Sequence, residues 1–266
     1  MKPSKLRRRW QTRFRKYTAA ICELIPECRR SANAEPIHRL RVALRRCRLL
    51  AGLASFAIGH ERLHPFRQQS GHLLDALGRV RDLDITLAWL HAHDADARAI
   101  GAIVQRRKRL WRKTQPLLAR VKPREWEHLQ DLRIDADGQR RLRKRCVRQI
   151  QKSADLLASL ADFRDPGVDQ SHELRRAVRR WRYLRELLLS RSEQEDDRLL
   201  QALLRFQEAS GDAQDRVVVA ATLTDLHKPR LVRPYLAAVA AERDHLVARA
   251  QSLSARMSKL HRCRTA

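Results

Sequence analysis

The stretch His38-Arg39-Leu40-Arg41-Val42-Ala43-Leu44-Arg45-Arg46-Cys47-Arg48 decides how the chain is read. At the helical step of about 100° per residue, Leu40, Ala43, Leu44 and Cys47 gather on one side of a cylinder. His38, Arg41, Arg45 and Arg48 gather on the adjacent side. The apolar positions recur at three and four residues and never alternate, so the stretch is an amphipathic helix and not a strand. Its polar face is unusual, because no acid occurs anywhere between Ile37 and His60. Solvated helix faces ordinarily mix signs, and like charges at i,i+3 and i,i+4 oppose helix formation unless an anion offsets them.

The same writing returns as His172-Glu173-Leu174-Arg175-Arg176-Ala177-Val178-Arg179-Arg180-Trp181-Arg182, 134 residues further on in a chain of 266. Here His172, Arg175, Arg179 and Arg182 share one face, and Leu174, Ala177, Val178 and Trp181 share the other. One solvated arginine face is unremarkable, but two matching ones in a single chain favour phosphate binding. The repeat extends outward from the motif. Leu6, Trp10, Phe14, Tyr17, Ile21 and Leu24 form a stripe that Leu142, Cys146, Ile150, Ser153, Leu157 and Leu160 repeat. Cations flank both stripes: Lys5, Arg9, Arg13 and Lys16 on the first, and Arg141, Arg145, Arg148 and Lys152 on the second. The match is imperfect, since Arg13 aligns with Gln149. Downstream, Leu77-Gly78-Arg79-Val80-Arg81-Asp82-Leu83-Asp84 stands opposite Ser210-Gly211-Asp212-Ala213-Gln214-Asp215. Gly78 and Gly211 lie inside helical patterns, where glycine costs about 1 kcal/mol relative to alanine, so close helix–helix approach is expected there.

The periodicity and the scarcity of glycine (8) and proline (9) predict an all-α chain. Helices are expected over 4–26, 36–57, 62–92, 96–119, 138–162, 170–191, 194–226 and 231–260, four in each half, with breakers such as Asn33 to Pro36 and Asp165-Pro166-Gly167 between them. Long helices on short loops suggest helical bundles. Halves of 1–133 and 134–266 are expected within a single domain, with Lys122–Asp137 as the joint.

Composition limits the partners. The chain carries 57 Lys+Arg against 30 Asp+Glu, a net charge of +27 that attracts polyanions without regard to sequence. The excess is nearly all arginine, whose planar fork of donors suits phosphate oxygens. Five scattered cysteines with no CxxC pair fit a reducing compartment. The N-terminus lacks the apolar core of a signal peptide, and no run reaches the ~18 apolar residues of a bilayer span. A soluble cytoplasmic protein is therefore expected.

Several weaker signals have ordinary structural readings. His60 and His64 have ligand spacing, but Pro65 interrupts the helix and no acid completes a metal motif. His91-Ala92-His93 lacks a third ligand. Arg106-Arg107-Lys108-Arg109, with Arg112 and Lys113, reads as solvated surface. Asp82 and Asp215 read as groups that orient neighbouring arginines, with a magnesium role for Asp82 and Asp84 only weakly indicated. No phosphate-cradling loop, activated nucleophile or cluster of metal-binding carboxylates appears, so neither catalysis nor a cofactor is expected.

The pattern H-x-x-R-V-x-x-R-R-x-R, then L-G-x-x-R-D-L-D, then H-x-L-R-x-x-x-R-R-x-R-Y and G-D-x-Q-D resembles the CHAD family, the conserved histidine α-helical domain. The resemblance covers essentially the whole chain in the right order. It implies two four-helix bundles from an internal duplication, related by a pseudo-twofold around a basic central cavity. It further implies non-catalytic binding of inorganic polyphosphate and, in some members, association with polyphosphate granules. The family histidines fall on His38 and His172, the arginines on Arg41, Arg45, Arg46, Arg48, Arg175, Arg179, Arg180 and Arg182, and the acids on Asp82 and Asp215. Cys47 and Trp181 stand where leucine is frequent in the family, and Ser210 replaces leucine before glycine. The rival reading is a general polyanion or nucleic-acid binder, since +27 would retain DNA or RNA at low salt. Against it, no helix-turn-helix, RRM, KH or finger pattern is present and the aromatic residues are dispersed.

Overall fold

Apolar residues at helical spacing produce helices and nothing else among the described residues. The computed structural model describes the backbone of residues 3–159 and 168–265, and side chains other than those of 157–172 and 255–266. Among these described residues ten α-helices follow in order: α1 (Pro3–Arg30), α2 (Ala34–Ile58), α3 (His60–Ala92), α4 (Ala97–Arg120), α5 (Pro123–Glu127), α6 (Ala136–Ser159), α7 (Val168–Leu188), α8 (Arg191–Asp196), α9 (Arg198–Thr224) and α10 (Pro229–Thr265). A short 3-10 turn, His128–Asp131, follows α5.

Local chemistry sets the boundaries. Prolines open α1, α5 and α10, where the missing N–H would be unsatisfied in any case. The Asp96 side chain caps α4 by accepting from the Arg98 N–H at 2.7 Å. Ser190 and Glu193 form a reciprocal capping box on α8. Asp197 caps α9 by accepting from the Leu200 N–H at 2.6 Å. Both α3 and α9 are followed by a residue in the left-handed region, Asp94 (φ 47°) and His227 (φ 51°).

Pro65 does not interrupt α3 as expected. It sits inside the helix near its start, and the His60 and His64 rings, one turn apart, lie 5.2 Å from each other and tilted by 38°. Pro26, Pro116 and Pro234 likewise lie inside helices close to an end. There the lost backbone bond is one of few and a kink has little helix to displace.

The starts of α6, α7 and α10 follow those of α1, α2 and α4 at nearly constant spacing: Pro3 to Ala136, Ala34 to Val168, and Ala97 to Pro229. The chain forms two compact units, one of Lys2–Leu142 with Val218–Leu236, and one of Arg143–Val217 with Ala237–Ala266. The boundary thus falls within α6. Lys122–Asp137 is a packed segment of the first unit. There Trp126 is buried, meets Phe66 edge-on at 5.0 Å and donates to Gln69 Oε1 at 3.1 Å.

The first unit has the core that the α1 stripe predicts. Leu6, Trp10, Phe14, Ile21 and Leu24 are buried with Leu40, Leu44 and Cys47 of α2. Trp10 stacks on Phe14 at 4.8 Å and donates to the Leu50 carbonyl at 3.0 Å, so its one polar atom is satisfied. In the second unit, Leu174, Val178 and Trp181 of α7 pack with Ala154 of α6 and Leu199, Leu203 and Phe206 of α9. Burying these apolar stripes leaves the arginine faces of α2 and α7 as the remaining sides of their helices.

Candidate functional site

In the first unit the cations of α2 divide between its two flanks and the face between them. On the α3 flank, Arg41 is partly buried and its Nη1 donates to the Leu74 carbonyl at 2.8 Å. Its guanidinium lies over Gly78, where a Cβ would stand only 2.8 Å from Nη1. What a side chain here would meet is the mobile end of an arginine, and not the backbone of a neighbouring helix. Two turns on, Arg48 repeats the arrangement over Gly71, where a Cβ would meet Nη1 at 2.6 Å. Arg48 donates to the Arg67 carbonyl and to Ser70 Oγ. On the opposite flank, Arg46 donates to the Tyr17 hydroxyl at 2.6 Å, and its guanidinium lies 5.5 Å from the centre of that ring. Between these flanks stand His38 and Arg45, both half-buried.

The charges in this group oppose one another. The Arg41 guanidinium is brought down to about 10, first by burial and then by Arg45, with Arg81 adding to the effect and Asp82 and Asp75 opposing it. Burial also holds His38 below its usual 6.5, with Arg81, Arg45 and Arg41 acting in the same direction and Glu35 against them. His38 is thus a neutral imidazole at pH 7, with one N–H to donate. Burial likewise lowers Arg48, with Arg67 as the next cause. Desolvated cations held together in this way gain from a ligand that is itself multiply anionic.

Arg81 is a member of this group that the helical wheel of α2 could not supply. It comes from α3 and was legible only as one letter of the Arg79-Val80-Arg81-Asp82 run. Asp82 acts on Arg41 as an opposing charge. Asp84 does not join it. Asp84 is buried and paired with Arg107 of α4, which also donates to the Ala32 carbonyl. Arg107 is accordingly a structural residue inside a run expected to be all surface. The magnesium role of Asp82 with Asp84 finds no support, and no group of potential metal ligands occurs among the described residues. His93 stacks on Trp89 at 4.0 Å, with Nδ1 2.8 Å from the Trp89 carbonyl oxygen, so His93 has an ordinary structural use.

In the second unit α7 carries Arg175 and Arg179 half-buried and Arg180 exposed. Arg175 faces Gly211 as Arg41 faces Gly78, at a looser 3.7 Å. Arg182 departs most from the expected face. It is buried, paired with Glu186 at 2.9 Å, and its guanidinium lies 4.6 Å from the centre of the Tyr183 ring. A cation neutralised and covered in this way is part of the core. Asp215 is half-buried on α9, and the side chain of His172 lies outside the described residues.

The flanking cations of α1 and α6 have mixed fates. Arg9 and Arg13 are half-buried and Lys16 is exposed on α1. Arg141 belongs to the first unit and is taken by Asp137 at 2.6 Å. Arg145 is half-buried, and Arg148 and Lys152 are exposed on α6.

Against known proteins, the CHAD domain family matches residues 12–224, and the chain belongs to that family. The crystal structure of the CHAD domain from the plant Ricinus communis is similar, with a TM-score of 0.57 and 22% identity, over 90% of this chain and 85% of that one. PptA from Streptomyces chartreusis is also similar, with a TM-score of 0.64 and 15% identity, over 95% of this chain and 97% of that one. At such identities the likeness concerns the fold. No curated protein matches the chain. Among the described residues no helix is long and apolar enough to cross a membrane.

Proposed function

We propose that the protein binds inorganic polyphosphate without transforming it, through the cationic faces of α2 and α7. The observation that carries this reading is the half-buried group of His38, Arg41, Arg45 and Arg81, in which burial first, and then Arg45 and Arg81, bring Arg41 down to about 10. An extended chain with about one charge per phosphate and no bases to read is the simplest ligand that offsets such a group. Family membership agrees with it.

The contacts divide by role. Arg45, Arg179 and the neutral N–H of His38 meet the ligand. Arg41 and Arg175 supply charge from positions fixed beside Gly78 and Gly211. Arg46 and Arg48 join α2 to α1 and α3 through Tyr17 and Ser70, and Arg182 is held within α7 by Glu186. Arg180, Arg9, Arg13, Lys16, Arg145, Arg148 and Lys152 extend the positive field, and association with polyphosphate granules in the cytoplasm would follow from the same chemistry.

The test is competition near physiological salt between labelled long-chain polyphosphate and excess double-stranded DNA or single-stranded RNA, with released orthophosphate assayed in the same tube. Retention of polyphosphate without phosphate release supports the reading. Equal competition by nucleic acid would instead make the two faces a general polyanion surface. The double substitution Arg45→Glu with Arg179→Glu is expected to lower polyphosphate affinity at least a hundredfold while leaving the helical circular-dichroism spectrum unchanged.

A further inference from the structure

Within the first unit, a cleft of about 960 Å³ opens between α3, α4 and the end of α9, with no residue of α2 in its lining. Its size is that of pockets that take small organic ligands. Six cations line it: Arg79, Arg98, Arg106, Arg109, Lys113 and Lys228. Two acids, Asp82 and Asp225, line it as well. Arg106 is engaged by Asp225 at 3.1 Å and Arg98 by Asp96 at 2.8 Å, which fixes two of the cations in place. Arg79, Arg109, Lys113 and Lys228 form no ion pair among the described residues. The cleft therefore holds about the charge that a triphosphate would neutralise.

Its remaining surface has a different character. Leu83, Ala102, Leu110 and Val218 give the cleft apolar walls, and Gly101 lines it from the second turn of α4. A Cβ on Gly101 would meet nothing within 4 Å, so this glycine leaves open room that no packing demand explains. Glycine costs about 1 kcal/mol in a helix interior, which makes an unfilled position notable. A bare phosphate chain has no apolar surface to set against such walls. A phosphorylated organic molecule has one, and burying it there is favourable.

We infer that this cleft is a second ligand site, for a nucleoside polyphosphate: phosphates on Arg79, Arg109, Lys113 and Lys228, organic body on the apolar walls beside Gly101. The site is separate from the α2 face in its cations, and the two meet only at Asp82, which lines the cleft and acts on Arg41.

Calorimetry on the full chain tests this with two probes of similar charge, ATP and inorganic tripolyphosphate. ATP is expected to bind saturably, one per chain, and at least tenfold more tightly than tripolyphosphate. Gly101→Leu, whose Cβ would enter open space, is expected to weaken ATP at least tenfold while leaving tripolyphosphate and long-chain polyphosphate unchanged. Arg109→Glu with Lys113→Glu, both at exposed positions, is expected to weaken ATP and to spare the circular-dichroism spectrum. The Arg45→Glu, Arg179→Glu protein should bind ATP normally, so failure of the polyphosphate reading and failure of this one are separable. Equal affinity for the two probes, or insensitivity of ATP to Gly101→Leu, would overturn the inference in favour of a purely inorganic phosphate site. Absence of saturable binding would reduce the cleft to solvated basic surface.

Discussion

Gly78 and Gly211 occupy matching places in the two halves, yet they meet their arginines at 2.8 and 3.7 Å, and substitution should separate them. Alanine at Gly78 gains up to about 1 kcal/mol of helix propensity but displaces the Arg41 guanidinium from the Leu74 carbonyl, a loss of about 1 kcal/mol. Gly78→Ala is therefore expected to leave thermal stability nearly unchanged and to weaken polyphosphate binding. Gly211→Ala should raise stability by up to about 1 kcal/mol with binding intact, because its contact is ordinary packing. Melting curves beside binding isotherms distinguish the two. His38 supplies a second expectation. Its folded value lies below 6.5, so the free native protein binds fewer protons than the unfolded chain. The His38 contribution to stability is present in full above about 6.5 and is lost as pH falls through the lowered folded value. A bound polyanion favours the imidazolium, so affinity should rise over that same fall in pH. His38→Gln should flatten both trends, read by thermal melts and by isotherms between pH 7.5 and 5.5.

Two adjacent arginines of α4 show how an element uses its charges. Arg107 joins α4 to α3 through Asp84, whose side chain is 4% exposed, and to the turn before α2 through the Ala32 carbonyl. Arg106 meets Asp225, which is 63% exposed. Removing one member of a buried pair strands its partner and costs about 3–5 kcal/mol, whereas an exposed pair contributes under about 1 kcal/mol. Arg107→Ala is expected to lower the melting temperature by on the order of 10 °C, and Arg106→Ala by no more than about 3 °C. If the two variants melt together, Asp84 is not the anchor of α4. Element boundaries were largely legible, because capping residues and apolar stripes act locally. The prolines were misleading at Pro65: a position near a helix end tolerates the missing bond, and sequence spacing does not say how near the end lies.

Across the whole molecule the cysteines and the net charge give complementary tests. Cys28, Cys47 and Cys146 are pushed up to about 12 and Cys22 to about 11, in each case first by burial. These four thiols should resist a thiolate-selective reagent at neutral pH until the chain is unfolded. The +27 charge should make polyphosphate affinity fall steeply and linearly in log–log form with salt. Each ligand-facing cation removed should lessen that slope by about 0.7, taking single-stranded nucleic acid as the guide. Arg45→Ala with Arg179→Ala should therefore reduce it by about 1.4, whereas Arg182→Ala should leave it unchanged because that cation is already neutralised by Glu186.

The all-helical class, the helix order, the recurring 134-residue spacing and the His/Arg motif were all present in the letters, since each depends on residues three or four apart or on plain repetition. Tertiary structure alone decided which arginines are available. Arg45 and Arg182 share a helical-wheel face with their neighbours, yet one stays on that face and the other is buried against an acid and a tyrosine. It also drew Arg81 into the site, turned Arg107 inward, and opened a cleft beside Gly101. Those outcomes depend on groups brought together from different helices, and local periodicity carries no record of which side chain a neighbouring helix will offer.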